Sequence, residues 1–258
     1  VTVKEEREPL LSLRGVSKRF GAVRALDDVS FEVAAGEVVA LVGDNGAGKS
    51  TLIQVMSGTL VPDTAEVRFD GREVSLGSPA DASRLGVATV YQDLALCDNL
   101  DVVANLHLGH ETHAAAVLSE VEMERRAVGL LDELSVRVPS LRTPVGMLSG
   151  GQRQCIAIAR TLLGAPRVVL LDEPTAALGL VQKEQVLDLV RRLKARGLGV
   201  VLISHNMAEV FAVADRVIVL RLGRRVATLP AVAEQQQAVV AAITGADGGI
   251  PVAAGGFA

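Results

Sequence analysis

Eight residues, Gly43-Asp44-Asn45-Gly46-Ala47-Gly48-Lys49-Ser50, limit what this chain can fold into more than any other stretch. Two glycines separated by four residues and followed by Lys and a hydroxyl residue form the P-loop pattern. In front stands Val38-Val39-Ala40-Leu41-Val42, an apolar run of the length of a buried strand. Behind it, Leu52, Val55 and Met56 fall on one helical face and Gly58 offers a helix end. A glycine turn before a core helix can arise without any ligand. The complete match, set between strand and helix, points instead to a nucleoside triphosphate. Glycines let the loop bend back so that its N–H groups, with the helix N-terminus behind them, surround phosphate oxygens. Lys49 then reaches the β- and γ-phosphates, and Ser50 supplies an oxygen to Mg²⁺.

At 258 residues the chain accommodates one large α/β domain, or such a core with a small subdomain. A formal net charge of −4 argues against a nucleic-acid partner, which is held mainly by a basic excess. No apolar run approaches the ~18–20 residues of a membrane helix. The first residues, with Lys4, Glu5, Glu6, Arg7 and Glu8, do not read as an apolar signal segment. Cys97 and Cys155 stand alone, without metal or redox spacing, and fit a reduced, cytoplasmic setting.

Residues 10–33 read as three short strands, Leu11–Val16, Val23–Leu26 and Val29–Val33, punctuated by Asp27-Asp28 and Ala35-Gly36. Phe20 lies between the first two, flanked by Lys18, Arg19 and Gly21, in a chain with only 2% aromatic residues. It could stack on an adenine face or belong to the rim of the local core. After the P-loop helix, Glu66 to Gly71 alternates like a half-exposed strand ending in an Asp-Gly turn. Val87 to Tyr91 predicts a buried strand with Gln92 at its end, facing the nucleotide if that strand is central.

From Asp93 to Leu163 the pattern becomes helical, as expected of a helical subdomain inserted between core strands. Glu120–Leu134 places Val121, Val128, Leu131 and Leu134 near one face. His107, His110 and His113 recur every third residue, but no Cys or carboxylate pair joins them at ligand spacing, so helical or loop surface is expected rather than a metal site. Leu148-Ser149-Gly150-Gly151-Gln152 opens a second helix after a loop marked by Pro139 and Pro144. Ser149 can cap it, and the glycines expose N–H groups at its positive end: a second anion site, or simply a glycine loop before a helix.

Val168 to Leu171 is a buried strand followed by Asp172 and Glu173. Carboxylates beside such a strand should face a cavity, because burying them unpaired is costly. Asp172 is placed to hold Mg²⁺, and Glu173 to act as general base toward a water attacking the γ-phosphate. Val181–Arg196 is an amphipathic helix with Val186, Leu189, Val190 and Leu193 inward. The strand Leu198–Ile203 ends at Ser204-His205, which is either a capping histidine or, at a third strand end, a γ-phosphate contact. A hairpin around Gly223, a last helix over Glu234–Thr244 and a disordered tail from Gly245 complete the expectation.

Phe20, the P-loop, Gln92, Leu148–Gln152, Leu171–Glu173 and His205, in this order, resemble the nucleotide-binding subunit of an ABC transporter over roughly residues 10–244. LSGGQ followed about twenty residues later by LLDEP is the specific part of the match. The resemblance implies an α/β P-loop ATPase with an antiparallel β subdomain and an inserted α-helical subdomain at about 93–163. It implies ATP and Mg²⁺ as cofactors and ATP hydrolysis as the reaction. Phe20 becomes the adenine-stacking ring, Gly43 to Ser50 with Thr51 the Walker A loop, and Gln92 a Mg²⁺-touching relay toward membrane subunits. Asp172 is the Walker B acid, Ser149, Gly150, Gly151 and Gln152 are the signature, Glu173 is the base and His205 the switch histidine. Partners implied are membrane permease subunits, a second ATPase chain forming a homodimer around two ATP molecules and, indirectly, a solute-binding protein. The location implied is cytoplasmic, at the inner face of the cell membrane.

Pro174-Thr175-Ala176-Ala177-Leu178-Gly179 departs from that family's pattern, which most often has Asp where Gly179 stands. With Val90 to Leu100, this variant looks like the ATPases of bacterial monosaccharide importers; many of those carry two fused domains, and this chain has one motif set. An ABC ATPase for another cargo, including export, is an alternative. A soluble ABC ATPase acting on nucleic acid or ribosomes would call for tandem motif sets or basic extensions, and a P-loop kinase would have no use for LSGGQ.

Overall fold

A computed structural model describes residues 8–114 and 117–246. The expected N-terminal character of residues 1–7 and the expected tail beyond Ala246 lie outside them. The elements in order are β1 (Pro9–Phe20), β2 (Val23–Ala34), β3 (Val38–Val42), α1 (Lys49–Met56), β4 (Thr64–Phe69), β5 (Arg72–Glu73), α2 (Pro79–Leu85), β6 (Val87–Val90) and α3 (Val102–His107). They continue with β7 (His113–Ala114), β8 (Val117–Leu118), α4 (Glu120–Glu133), α5 (Gly150–Leu162), β9 (Val168–Asp172), α6 (Leu180–Ala195) and β10 (Gly199–Ile203). The last are α7 (Met207–Val213), β11 (Arg216–Arg221), β12 (Arg224–Pro230) and α8 (Gln236–Thr244).

Two large sheets organise the chain: one, in the order β2-β1-β4-β5, is antiparallel, and the other runs β12-β11-β3-β10-β9-β6 and is parallel except for the β11–β12 hairpin. Strands β7 and β8 form a separate two-stranded antiparallel sheet. Residues of β3 and β10 are buried throughout, which explains why these strands read as unbroken apolar runs rather than alternating ones. Leu41, Leu52, Ile53 and Met56 pack with Leu11, Leu13, Leu26 and Phe31, so the P-loop helix lies in the core shared by the two sheets.

Three expectations are corrected. Leu11–Val16, Val23–Leu26 and Val29–Val33 belong to two strands of 12 residues each, because Asp27-Asp28 is absorbed within β2 as an irregularity and does not end it. Asp28 takes φ +53° there, and its N–H donates to Ser17 Oγ at 3.1 Å. The buried face of α4 is Met123, Ala127 and Leu131, with Leu134 just beyond; Val121 and Val128 are exposed. At 100° per residue the two valines lie on a different stripe from Met123 and Ala127. Finally, β6 is an edge strand, so the central position on which the expectation for Gln92 depended does not hold.

Candidate active site

Strand register brings the candidate residues together. Val90 pairs with Leu171, Asp172 with Ile203, Ile203 with Leu41 and Val219 with Val42. The residues that leave these strands therefore emerge along one edge of the sheet: Gly43 after β3, Asp172-Glu173 at the end of β9, and Ser204-His205 after β10. Gln92 emerges on the same edge but from the outermost strand, and its side chain is exposed.

The loop from Gly43 to Gly48 has little room. At φ +150°, a Cβ on Gly43 would lie 2.2 Å from Leu220 O; at φ +105°, one on Gly48 would lie 2.7 Å from Ala25 O. The loop is thus hemmed in by β11 on one side and β2 on the other, and only glycine fits at these two points. Asp44, Asn45 and Gly46 are exposed, and Ser50 is exposed at the start of α1 with Thr51 half-buried behind it. Lys49 Nζ donates to Gly43 O at 2.7 Å and to Asp44 O at 2.9 Å. Burial holds the Lys49 ammonium below its ordinary pKa, against the opposing pull of Glu173, Asp44 and Asp172. The Asp172 carboxyl is held above the ordinary range by burial and by Glu173, with Lys49 acting the other way. Together these make a cation facing two carboxylates beside the glycine loop.

Glu173 takes φ +48°, a left-handed conformation that a non-glycine residue keeps only where its surroundings enforce it. Its N–H donates to Ile203 O at 3.0 Å. Its Oε2 lies 2.9 Å from Nδ1 of His205. Carboxylate and imidazole are thus a hydrogen-bonded pair, with His205 largely open to solvent.

Phe20 ends β1 with half of its surface exposed, and Lys18 Nζ lies 5.8 Å from its ring centroid. Ser149 caps α5: its Oγ accepts from Gln152 N–H at 3.3 Å, and Gln152 Oε1 accepts from Ser149 N–H at 3.0 Å. A Cβ on Gly151 would meet Gln182 Cβ at 2.8 Å, so this glycine allows the start of α5 to approach α6. Among the described residues, no hydrogen bond or ion pair joins Ser149–Gln152 to Gly43–Thr51. Two arginines further along α5 grip the segment after Gln92: Arg160 donates to Leu94 O (3.0 Å) and Ala95 O (2.8 Å), and Arg153 to Asp98 Oδ1 (2.7 Å).

His110 and His113 are exposed as expected, whereas His107 is buried and its Nδ1 is 3.0 Å from Val103 O. Among the described residues no group of three metal-ligating side chains comes together. Sequence reasoning passed over Glu209, Thr175 and Lys183, which meet behind the Glu173–His205 pair. The available signal, Asn206 followed three residues later by Glu209 at the start of a helix, reads as an ordinary capping pattern.

A family model described as "ABC transporter" matches residues 26–176. Over 215 residues the chain is 48% identical to the xylose/arabinose import ATP-binding protein XylG of Sulfolobus acidocaldarius, covering 83% of this chain and 86% of that one. It is 42% identical to the fructose import ATP-binding protein FrcA of Rhizobium meliloti, over 93% of this chain and 95% of the relative. The ribose import ATP-binding protein RbsA 1 of Rubrobacter xylanophilus is 46% identical over 90% of this chain, which spans only 46% of that relative's length. Among solved structures, the ADP conformation of an ATP-binding cassette of an ABC transporter superposes with TM-score 0.81 at 28% identity, covering 92% of this chain and 99% of that one. A dimeric post-hydrolysis cassette bound to ADP and Pi gives 0.71 at 27% identity, over 86% and 99%.

Proposed function

This chain belongs to the ABC transporter family, as an ATP-hydrolysing subunit, and we propose that it energises uptake of a monosaccharide through membrane permease subunits. The cargo class rests on relatives whose names are xylose/arabinose, fructose and ribose import proteins. No helix among the described residues is long and apolar enough to cross a membrane. The translocation path then belongs to the permease, and the chain works at the inner, cytoplasmic face, loaded indirectly by a solute-binding protein. Residues 10–244 are the ATP-binding domain, and 93–163 its helical subdomain.

The observation that carries the reading is the Glu173–His205 pair beside Lys49 and Asp172 on one sheet edge. Loop amides from Gly43 to Ser50, with Thr51, hold the phosphates. Lys49 turns from its two backbone carbonyls toward the β- and γ-phosphates, and Phe20 offers its exposed face to adenine. Glu173 accepts a proton from the attacking water, and His205 orients the Glu173 carboxylate through Nδ1. A γ-phosphate contact from Nε2 uses the doubly protonated ring, in which both nitrogens donate. The donor set suits Mg²⁺: the Ser50 hydroxyl and the half-buried Asp172 carboxylate are hard oxygen ligands, and the Gln92 amide, exposed after the edge strand β6, would have to turn inward to join them. When bound, Mg²⁺ would neutralise charge on the β- and γ-phosphate oxygens.

Gly150 and Gly151 with Ser149 and Gln152 form a second anion-binding helix start, and it makes no bonded contact with its own P-loop. A second copy of the chain therefore completes each site, its signature helix closing on the γ-phosphate. Hydrolysis removes what the signature holds, the dimer opens, and the permease moves. The test is light scattering on Glu173→Gln with and without MgATP, followed by uptake of labelled pentoses and hexoses in cells that carry the subunit or its Lys49→Ala variant. An ATP-dependent dimer and Lys49-dependent monosaccharide uptake are expected. A monomer in MgATP together with uptake indifferent to Lys49 would overturn the reading.

A further inference from the structure

Glu209 is a carboxylate only 6% exposed, in the first turn of α7. Buried carboxylates persist where donors surround them, and here the donors come from three other segments. Lys183 of α6 places Nζ 2.9 Å from Oε1. Thr175, two residues after Glu173, donates its hydroxyl to Oε2. Ser204 Oγ lies 3.2 Å from Oε2 and Asn206 Nδ2 3.0 Å from Oε1, so the two neighbours of His205 both lean on this carboxylate. Burial pushes the Glu209 carboxyl up, but Lys183 and Thr175 outweigh it and hold the group below its ordinary range. Glu173, Thr175, Lys183, Ser204, His205 and Glu209 all line one cavity of about 90 Å³.

Glu173 needs such an anchor. Its left-handed backbone is strained, and the turn that follows repeats the strain at Ala177, φ +58°. Inside that turn Thr175 is 4% exposed, and its hydroxyl is tied to Glu209. One carboxylate thus fastens the turn that aims Glu173 to the turn that aims His205.

We propose that Glu209 is a positioning residue for ATP hydrolysis, setting the contact between Glu173 and His205 by pinning both turns from behind, with Lys183 neutralising it in place. The proposal rests on the reading of Glu173 and His205 as the hydrolytic pair. It is tested on the purified subunit with Glu209→Gln, Lys183→Met, the double variant and Thr175→Val. The readouts are ATP turnover and the ¹H–¹⁵N imidazole spectrum, with His205→Ala assigning its signal among the four histidines.

In Glu209→Gln, kcat should fall roughly 10²-fold, the cost of misplacing a reacting group by about an ångström. KM for ATP should stay within about twofold, since nothing at the P-loop is touched. His205 ring signals should move while those of His107, His110 and His113 stay. Thr175→Val should give a smaller fall of the same kind. The double variant leaves no unpaired charge, so it should fold well yet remain slow. Wild-type kcat in folded Glu209→Gln, unmoved His205 signals, or recovery of kcat in the double variant would each overturn the proposal. If Glu209→Gln does not fold, the double variant and Thr175→Val decide by the same criteria. Undiminished turnover in Glu173→Gln would instead sink the underlying reading, which the His205 spectrum does not depend on.

Discussion

His205 Nδ1 sits 2.9 Å from Glu173 Oε2, across 32 positions of sequence. Parallel pairing of β9 with β10 brings the two turns side by side, because Asp172 and Ile203 are register partners and Glu173 and Ser204-His205 follow directly after them. Replacing His205 by Ala removes the only side chain hydrogen-bonded to that carboxylate among the described residues. Turnover should fall by about 10²-fold or more, the usual worth of a group in proton transfer, with ATP affinity little changed. Steady-state hydrolysis alongside fluorescent-nucleotide binding checks this; a parallel loss of affinity would mean that His205 mainly holds nucleotide.

Lys49→Ala should act on binding itself. Its ammonium is held by two loop carbonyls and faces Glu173, Asp44 and Asp172, so its removal leaves the loop mouth with net negative charge against a phosphate. Loss of such a charge-assisted contact costs about 1.5–3 kcal/mol, roughly 10- to 100-fold in affinity. Isothermal titration with MgATP measures it, and an unchanged Kd would sink the assignment of this loop.

Gly48→Ala and Gly46→Ala should part company in stability. Both positions have positive φ, +105° and +80°, but a Cβ at 48 would lie 2.7 Å from Ala25 O and 2.9 Å from Leu26 Cδ2, whereas at 46 nothing lies within 4 Å. Backbone strain alone costs about 1–2 kcal/mol at either site. Gly48→Ala adds a clash with β2, so its melting temperature should drop by on the order of 5–10 °C, against about 2–5 °C for Gly46→Ala. Equal drops would mean that the loop can move away from β2.

Arg160→Met tests the strap between α5 and the segment that follows Gln92. Its guanidinium donates to Leu94 O and Ala95 O, and Ala95 is held at φ +48°. Without these bonds the amides of residues 94–98 should exchange with deuterium roughly ten-fold faster or more, the loss of at least one hydrogen bond to a charged donor. Amides of β3 and β10 should keep their protection. Unchanged exchange at 94–98 would show that Arg153 and the local turns suffice.

Much of this site was legible because its signals are local. Val38–Val42 is buried on every residue, so its apolar run could only be a central strand, and the glycine loop after it carries its own geometry. Ser149 and Gln152 form their capping box within four residues. What escaped detection depends on pairing between distant parts. Asp27-Asp28 looks like a strand end, yet Arg24 and Arg224 both bind Asp27 and its N–H reaches Gly223 O at 2.8 Å, so the chain continues through it. Val121 and Leu131 look equivalent on paper, but only the stripe of Leu131 meets the core. Glu209 reads as a helix cap, because none of Thr175, Lys183 and Ser204 is its neighbour on α7.

Cys155 supplies a pH test that involves no nucleotide. It lies on α5 with 5% exposure, and burial pushes its thiol up to about 12. At pH 8 its thiolate fraction is then on the order of 10⁻⁴, against roughly a quarter for a free thiol of pKa about 8.5. Half-exposed Cys97 should therefore react with a thiol reagent well before Cys155 in the native protein. The sign of the stability effect follows from linkage. A thiol whose pKa is raised by folding has no effect below the unfolded value; between that value and about 12 the unfolded chain loses a proton that the native chain keeps, so stability falls as pH rises. Urea unfolding of wild type and Cys155→Ala at pH 8, 9 and 10 isolates this contribution from the other groups that titrate there. The wild type should lose up to about 1.4 kcal/mol per pH unit more than the variant above pH 9. Parallel pH slopes, with Cys155 and Cys97 labelled at one rate in native protein, would mean that α5 opens to solvent.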